Sequence, residues 1–176
     1  KENNMKKLAE LKKEDRHIIE DPNDIIRFLQ GGFAEFSLYS CKTKTELKFY
    51  VETVEKHRNA LYVRVDIPTE SGGLRRAYIG SIGHVGIVTT LYKTKKASTD
   101  DSEFGAFSWF MRALLEKNER RLAQVKLLHH CRCSRCGRPL ITKKSVTTGM
   151  GPNCTWALQQ EIERAKKLAI NPNYKF

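Results

Sequence analysis

The stretch Leu61-Tyr-Val-Arg-Val-Asp-Ile67 decides the fold class. Its apolar side chains at positions 61, 63, 65 and 67 alternate with more polar ones, which is the period of a strand with one buried face. The same alternation occurs over 34–38 and 47–51, and two further apolar runs follow at 78–82 and 85–92. Turn-forming residues separate these segments at hairpin-length intervals. The pattern predicts a strongly twisted antiparallel sheet of about five strands.

Amphipathic segments with the 3.6-residue period of a helix flank these strands. Asp21 followed by Pro22 is a strong helix start, and Gly31-Gly32 is a typical stop. Phe107, Trp109 and Phe110 are interpreted as core residues of a later helix that covers the sheet. The predicted helices cover residues 5–20, 22–30, 104–115 and 156–170. The expected fold class is therefore α+β, a twisted antiparallel sheet with flanking helices.

Composition limits the classes of protein that this chain can be. It has 176 residues, 40% of them hydrophobic and 30% charged, enough apolar side chains for a compact domain with a small appended module. No stretch approaches the ~18 consecutive apolar residues of a membrane helix, so a membrane-spanning protein is excluded. No apolar run follows the polar residues 1–7. We therefore expect a cytoplasmic protein, in a bacterium or a host cell.

The charge is strongly positive and unevenly placed. Lys and Arg total 32 against 20 Asp and Glu, which gives a net charge of +12. Between residues 120 and 160 there is no acidic residue, and this acid-free segment favours anion binding over a merely solvated surface. Its basic residues other than Lys126 are our candidate nucleic-acid contacts: Arg120, Arg121, Arg132, Arg135, Arg138, Lys143 and Lys144.

The cysteines indicate a metal site. Cys133 and Cys136 are separated by two residues and followed by Gly137, the arrangement of a zinc-knuckle turn whose backbone N–H groups point at the sulfurs. Cys154 follows at a separation common for the far side of such a site. An odd number of cysteines in a basic chain argues against a disulfide framework. Cys41 lies apart from the others and is interpreted as a free thiol.

The spacing leaves the fourth ligand open. Cys131 would give a C-x-C-x2-C site, whereas His129 would give a Cys3His site, and His130 lies between them. With four protein ligands the site is closed, so the expected cofactor is a structural Zn²⁺. The segment 129–156 is accordingly predicted to be a C-terminal zinc-knuckle module. It follows an N-terminal amphipathic helix (1–20) and an α+β core (21–128). A C-terminal helix and tail (157–176) come after it.

Several blocks resemble a family of unknown function that is spread through bacteriophages, plasmids and bacterial genomes. The resemblance is carried by the C-x2-C-G-R-x-L run at 133–140, Ser145, and the G-x-G-P-x-C run at 149–154. Similar blocks at 31–38, 78–80 and 107–109 extend it over roughly residues 25–156. The resemblance implies a zinc-binding protein of mobile elements and supplies no activity.

The resemblance also bears on the ligand set. The family typically has a histidine four residues before the first cysteine of the pair, which corresponds to His129. It thus favours His129, Cys133, Cys136 and Cys154 as ligands. This chain carries Cys131 where relatives tend to have glycine, so Cys131 remains the alternative ligand.

No catalytic motif is present. The sequence contains no P-loop, no H-E-x-x-H, no G-x-S-x-G and no His-x-Glu of a zinc deaminase, and we predict no catalytic residues. The function expected is a non-enzymatic, zinc-stabilised DNA- or RNA-binding protein of phage type. A protein-binding adaptor or inhibitor of a host enzyme or defence system is the alternative, and a zinc-dependent enzyme is the third. A second nucleic-acid contact is expected on the strand residues Tyr50, Tyr62, Arg64, Arg75, Arg76 and Tyr78.

Overall fold

A computed structural model describes residues 16–54, 60–83 and 101–169. Within these ranges the chain forms one six-stranded sheet and five helices. The strands are β1 His17–Ile19, β2 Phe33–Ser40, β3 Glu46–Thr53, β4 Ala60–Pro68, β5 Leu74–Gly83 and β6 Val125–His129. The helices are α1 Pro22–Gln30, α2 Asp101–Leu115, α3 Glu119–Leu122, α4 Lys143–Thr148 and α5 Pro152–Ala169.

The sheet has the order β1-β6-β2-β3-β4-β5, and every neighbouring pair is antiparallel. The predicted α+β class and antiparallel sheet are therefore confirmed. Strands β2 to β5 correspond to four of the predicted strands, three of them predicted from the alternation of apolar and polar side chains and β5 from the apolar run at 78–82. The fifth, at 85–92, lies outside the described residues. The two strands that were not predicted, β1 and β6, complete the sheet on the other side of β2.

The predicted helix over residues 5–20 is wrong at its C-terminal end. Residues 5–15 lie outside the described part, but His17–Ile19 form β1 and pair with β6. Ile18 is exposed and Ile19 is buried, as expected for neighbouring residues of a strand. The β-branched side chains at 18 and 19 fit a half-buried strand, so pairing with β6 overrides the helical periodicity of the preceding residues.

Helix α1 is confirmed at both ends. The Asp21 carboxylate accepts hydrogen bonds from the backbone N–H groups of Asn23 and Asp24, and Pro22 occupies the first helical position. The helix ends at Gly31. Its buried side chains include Phe28, whose ring packs edge-on against Phe36 of β2 with the centroids 5.9 Å apart.

The hydrophobic core lies between the sheet and α2. Phe107 of α2 contacts Phe36 and Phe49, and Phe107 and Phe110 are both buried, as predicted. Trp109 turns partly to solvent. The opposite side of the sheet, which we call the outer face, carries charged side chains such as Lys48 and remains open to solvent along part of its area.

The C-terminal helix begins earlier than predicted, at Pro152 rather than at Trp156. Proline at the first helical position explains the earlier start, because its missing N–H is not needed there. Cys154 consequently lies in the first turn of α5. The bounds of the zinc-binding module at 129–156, expected to pack onto the sheet, stay a prediction. None of the helices in the described part of the chain is long and apolar enough to cross a membrane.

Candidate metal centre

Three of the predicted ligands lie together. The sulfur atoms of Cys133, Cys136 and Cys154 are all within 4.8 Å of one another. Zn–S bonds of ~2.3 Å in a tetrahedral site place sulfurs roughly 4 Å apart, so the cluster fits one such ion. Cys133 is buried, Cys154 is half-buried and Cys136 is exposed. The five cysteines form no disulfide.

The turn that joins Cys133 and Cys136 has the predicted knuckle geometry. The Gly137 N–H donates to the Cys133 carbonyl at 2.9 Å, and the Cys133 N–H donates to the Arg138 carbonyl at 2.9 Å. Gly137 has φ +71°, in the left-handed region that glycine enters without strain. The two cysteine side chains are thus held on one side of a tight hairpin.

The pKa values of the cysteine thiols indicate that the three sulfurs favour a bound cation. Burial alone raises the pKa of Cys133, but the backbone N–H groups of Gly151, Cys136 and Arg135 bond to its sulfur, and its pKa is lowered overall. Burial and the adjacent sulfurs of Cys136 and Cys133 raise the pKa of Cys154 to about 12. Three crowded thiolates therefore need a cation to be stable together, and a thiophilic metal ion supplies one.

His129 is not brought into this group. It is the last residue of β6, where pairing with β1 and β2 holds it in the sheet, and its ring lies 5.6 Å from that of Phe28. Its Nε2 is 2.8 Å from the Val146 carbonyl oxygen, whereas its buried Nδ1 has no hydrogen-bond partner within the described part of the molecule. Burial lowers the pKa of His129, so the imidazole is neutral near pH 7.

The other two candidates for the fourth ligand also lie outside the group. His130 is half-buried, and burial lowers its pKa. Cys131 has φ +51° and its carbonyl accepts a hydrogen bond from the Leu140 N–H at 2.7 Å. This left-handed backbone is one that glycine adopts most easily. The position therefore suits the glycine that the resembled family tends to have there.

The cysteine turn is attached to the sheet through Ser134, which the sequence did not identify. The Ser134 carbonyl accepts a hydrogen bond from the Phe33 N–H at 2.7 Å, and the Ser134 N–H donates to the Gly149 carbonyl at 3.1 Å. A Cβ on Gly31 would lie 2.3 Å from the Ser134 Oγ. Gly31 is therefore required for this close approach and not for its backbone angles, since its φ of −59° is one that any residue adopts. The Gly31-Gly32 pair was the only local signal of this contact.

Gly149 makes a second close contact with the core. It follows α4 with φ +69°, and a Cβ at this position would lie 2.3 Å from Cδ2 of Phe28 and 2.7 Å from Cδ1 of Ile19. The helix that it ends begins with a capping box between Thr142 and Ser145. The chain between the second and third cysteines is thus fixed against α1 and β1.

The predicted basic contacts divide into two groups. Arg135 forms a two-pronged ion pair with Glu161 of α5 at 3.0 and 2.6 Å, and Arg121 pairs with Glu116 at 3.3 Å. Both acids lie just beyond the acid-free segment, so the expectation that its charges are uncompensated is wrong for these two arginines. The remaining predicted contacts are exposed and form no ion pair with any described residue: Arg120, Arg132, Arg138, Lys143 and Lys144.

The side chains of the expected second nucleic-acid contact, on the sheet, interact largely with other side chains of the protein. The Tyr50 hydroxyl donates to the Asp66 carboxylate at 2.7 Å, and the guanidinium of Arg76 lies 3.3 Å from the centre of the Tyr50 ring. Arg64 pairs with Glu52 at 3.2 Å. The rings of Tyr62 and Tyr78 pack on each other, 5.0 Å apart. Tyr50 is therefore closed to a stacked base, whereas Tyr62 and Tyr78 are half-buried against each other.

A cleft of about 650 Å³ separates the outer face of the sheet from the cysteine turn. Phe33, Glu35 and Tyr50 line it from the sheet, and Arg132 and Cys136 are among the residues that line it from the turn. The sequence separates these two walls by about a hundred residues, so no motif reveals the cleft.

The comparisons with known proteins add a family match to this geometry. A sequence model of a family of unknown function, DUF6011, matches residues 128–156. The matched span contains all three clustered cysteines, and the match and the cluster together fit a zinc-binding family of unknown function. No curated protein and no solved structure matches the chain at a significant level.

Proposed function

We propose that this protein is a zinc-stabilised, non-enzymatic nucleic-acid-binding protein of phage or mobile-element type. The observation that carries the proposal is the set of exposed cations without ion-pair partners in the described structure, among them Arg132 and Arg138, beside a cluster of three cysteines. The cysteines would hold the turn that presents these cations. The turn and the sheet would then position them against phosphate groups.

Zinc is the metal that this donor set favours. Thiolates are soft ligands that select Zn²⁺ over Mg²⁺ or Ca²⁺, and a hairpin that directs N–H groups to sulfur is typical of structural sites. Cys133, Cys136 and Cys154 are the proposed ligands. When bound, the ion would balance most of the thiolate charge and link the cysteine turn to the first turn of α5.

His129 remains our proposed fourth ligand, on the evidence of its two ring nitrogens. Ligating histidines usually donate their second ring N–H to a backbone carbonyl, which fixes the tautomer. The Nε2 contact with Val146 meets this condition and leaves a lone pair on Nδ1, which is buried without a partner. An unsatisfied buried nitrogen is costly, and a metal bond would satisfy it.

Cobalt substitution tests the fourth ligand. Co²⁺ in place of zinc gives visible bands that report tetrahedral geometry and the number of thiolate ligands. We expect His129→Gln to change these bands and to weaken metal binding by at least about tenfold. His130→Gln and Cys131→Ser should leave the spectrum unchanged. If His129→Gln leaves the spectrum unchanged and Cys131→Ser weakens the thiolate band, Cys131 is the fourth ligand instead. A water molecule bound to the metal in the wild-type protein would favour a zinc enzyme.

Phosphate binding is the chemistry that the uncommitted cations support. Arg132 and Arg138 flank the cysteine turn, and Lys143 and Lys144 open α4. Arginine binds phosphate oxygens through two parallel N–H groups, and lysine adds charge. Each phosphate that is neutralised releases counterions, which makes such binding strongly dependent on salt. The net charge of +12 acts in the same direction at longer range.

Charge reversal at the cysteine turn tests this proposal. We expect the double variant Arg132→Glu, Arg138→Glu to bind a mixed-sequence oligonucleotide at least about tenfold more weakly at low salt. The dependence of log affinity on log salt concentration should become shallower, with a slope less negative by roughly two, because two phosphate contacts are lost. Fluorescence anisotropy at several salt concentrations measures both quantities.

The matched control is Arg112→Glu, which reverses an exposed arginine on α2, outside the acid-free segment. This variant should lose much less affinity than the double variant. Melting curves should show that all variants remain folded. If the wild-type protein does not bind any oligonucleotide at low salt, the proposed function is wrong.

A second candidate, an adaptor or inhibitor that binds a host protein, is favoured by two exposed apolar side chains. Ile141 is 90% exposed and Trp156 is 67% exposed, and both lie in the matched segment. Exposed large apolar side chains are common at protein interfaces. A partner that stays bound in a pull-down after nuclease treatment would favour this candidate over nucleic-acid binding.

A further inference from the structure

The geometry points to a more specific ligand for the cleft: one unstacked base of a single-stranded nucleic acid, stacked on Phe33, with the adjoining phosphate at Arg132. This inference rests on the proposed nucleic-acid binding and names the form of nucleic acid that is bound. It concerns the cleft between the outer face of the sheet and the cysteine turn.

The size and walls of the cleft suit a single nucleotide. Its volume of about 650 Å³ lies in the range of pockets that hold small ligands. One wall is the outer face of strands β2, β3 and β5, and the other is a tight hairpin. The hydrogen bond from the Phe33 N–H to the Ser134 carbonyl joins the two walls at 2.7 Å. The two walls are therefore fixed relative to each other at this point.

Phe33 is the stacking surface. It is the first residue of β2, and its side chain lies on the outer face because its neighbour Ala34 is buried on the other side. The side chain is 62% exposed although it lines the cleft. Two other rings line the cleft: Tyr50 is buried and covered by Arg76, and the imidazole of His130 is half-buried. Phe33 is thus the most exposed ring of this cleft and the one that offers a base an open face.

The charges of the cleft favour one strand over two. The Arg132 side chain is exposed and donates a hydrogen bond from Nη1 to the Gly137 carbonyl at 3.1 Å. A guanidinium has five N–H donors, so Arg132 can still bind a phosphate. Glu35, in the opposite wall, pairs with Lys48 at 2.6 Å. The Glu35 charge is thus balanced, and the other arginines that line the cleft also pair with carboxylates, so Arg132 supplies one cation for the phosphate of one strand.

The stacking geometry leads to the same conclusion. In a duplex both faces of every base are covered by neighbouring bases, so Phe33 could reach a base only after unstacking it. In a single strand the faces are available, and aromatic stacking contributes roughly 5- to 150-fold in affinity per base. Stacking tolerates any base, so this contact needs no particular sequence.

The experiment compares a labelled oligothymidine with a duplex of equal length by fluorescence anisotropy at low salt. We expect Phe33→Ala to weaken single-strand binding by about tenfold, with duplex binding and the salt slope unchanged. Phe33→Trp should retain single-strand affinity, because it preserves the stacking surface. Leu74→Ala is the matched control, since Leu74 is 70% exposed on β5 outside the cleft lining, and it should have no effect.

The outcomes separate this inference from the proposed function. If the wild-type protein binds the oligothymidine and Phe33→Ala binds it equally well, the cleft inference is wrong while nucleic-acid binding stands. Equal losses on the single strand and the duplex would also overturn it, because stacking on an unpaired base cannot affect both. If the wild-type protein binds neither probe, both proposals fail.

Discussion

Replacement of Cys136 by serine is expected to release the bound metal and to lower the melting temperature by about 10 °C or more. Cys136 is exposed, and serine has nearly the same shape, so the loss of stability would come from lost metal coordination and not from lost packing. Metal that binds only the folded state adds its binding free energy to folding. A loss of several kcal/mol lowers the melting temperature of a chain of this size by ~2–4 °C per kcal/mol.

Metal content by elemental analysis and melting curves with and without chelator measure the effect. The chelator should destabilise the wild-type protein and leave Cys136→Ser unaffected. Cys41→Ser is the matched control, because Cys41 is half-buried and lies outside the cluster. It should retain one metal ion per chain. Full metal content and an unchanged melting temperature in Cys136→Ser would contradict the proposed metal centre.

Gly149→Ala is the second variant with a large expected effect, a loss of about 3 kcal/mol in the free energy of unfolding. The left-handed backbone at φ +69° costs an L-residue about 1–2 kcal/mol. The new Cβ would also overlap the side chains of Phe28 and Ile19, and overpacking of this kind costs about 1–3 kcal/mol more. Denaturant unfolding measures the sum.

Gly137→Ala separates the two causes. Gly137 has nearly the same backbone angle, φ +71°, but a Cβ there would meet no atom within 4 Å. This variant should lose only the backbone contribution of about 1–2 kcal/mol. If Gly149→Ala is no more destabilising than Gly137→Ala, the close packing of Gly149 against Phe28 does not contribute to stability.

The sequence predicted the elements whose signals are local. Strand β4 alternates buried and less buried residues along most of its length, and β2 to β5 all contain the apolar positions from which they were predicted. Asp21 and Pro22 fixed the start of α1 because capping involves only neighbouring residues. Cys133 and Cys136 were predicted for the same reason, since their spacing is a property of the turn, and Cys154 was predicted from a separation common in such sites.

The remaining features depend on contacts between distant segments. Strand β1 has three residues, and it exists because His17 pairs with His129 across more than a hundred positions. The pairing of Arg135 with Glu161 depends on α5 lying beside the cysteine turn. Phe33 had no signal of its own as a stacking residue, because alternation predicts only which face of the sheet it occupies.

The hydrogen bond between Phe33 and Ser134 limits how independent the metal-binding segment can be. Residues 128–156, cut out and grafted onto another scaffold, would lose the strand that holds their hairpin and the glycine that lets Ser134 approach. A segment that folds on another scaffold would have to include the end of α1 and the beginning of β2 as well. We therefore expect metal uptake and sheet assembly to be coupled in one cooperative transition.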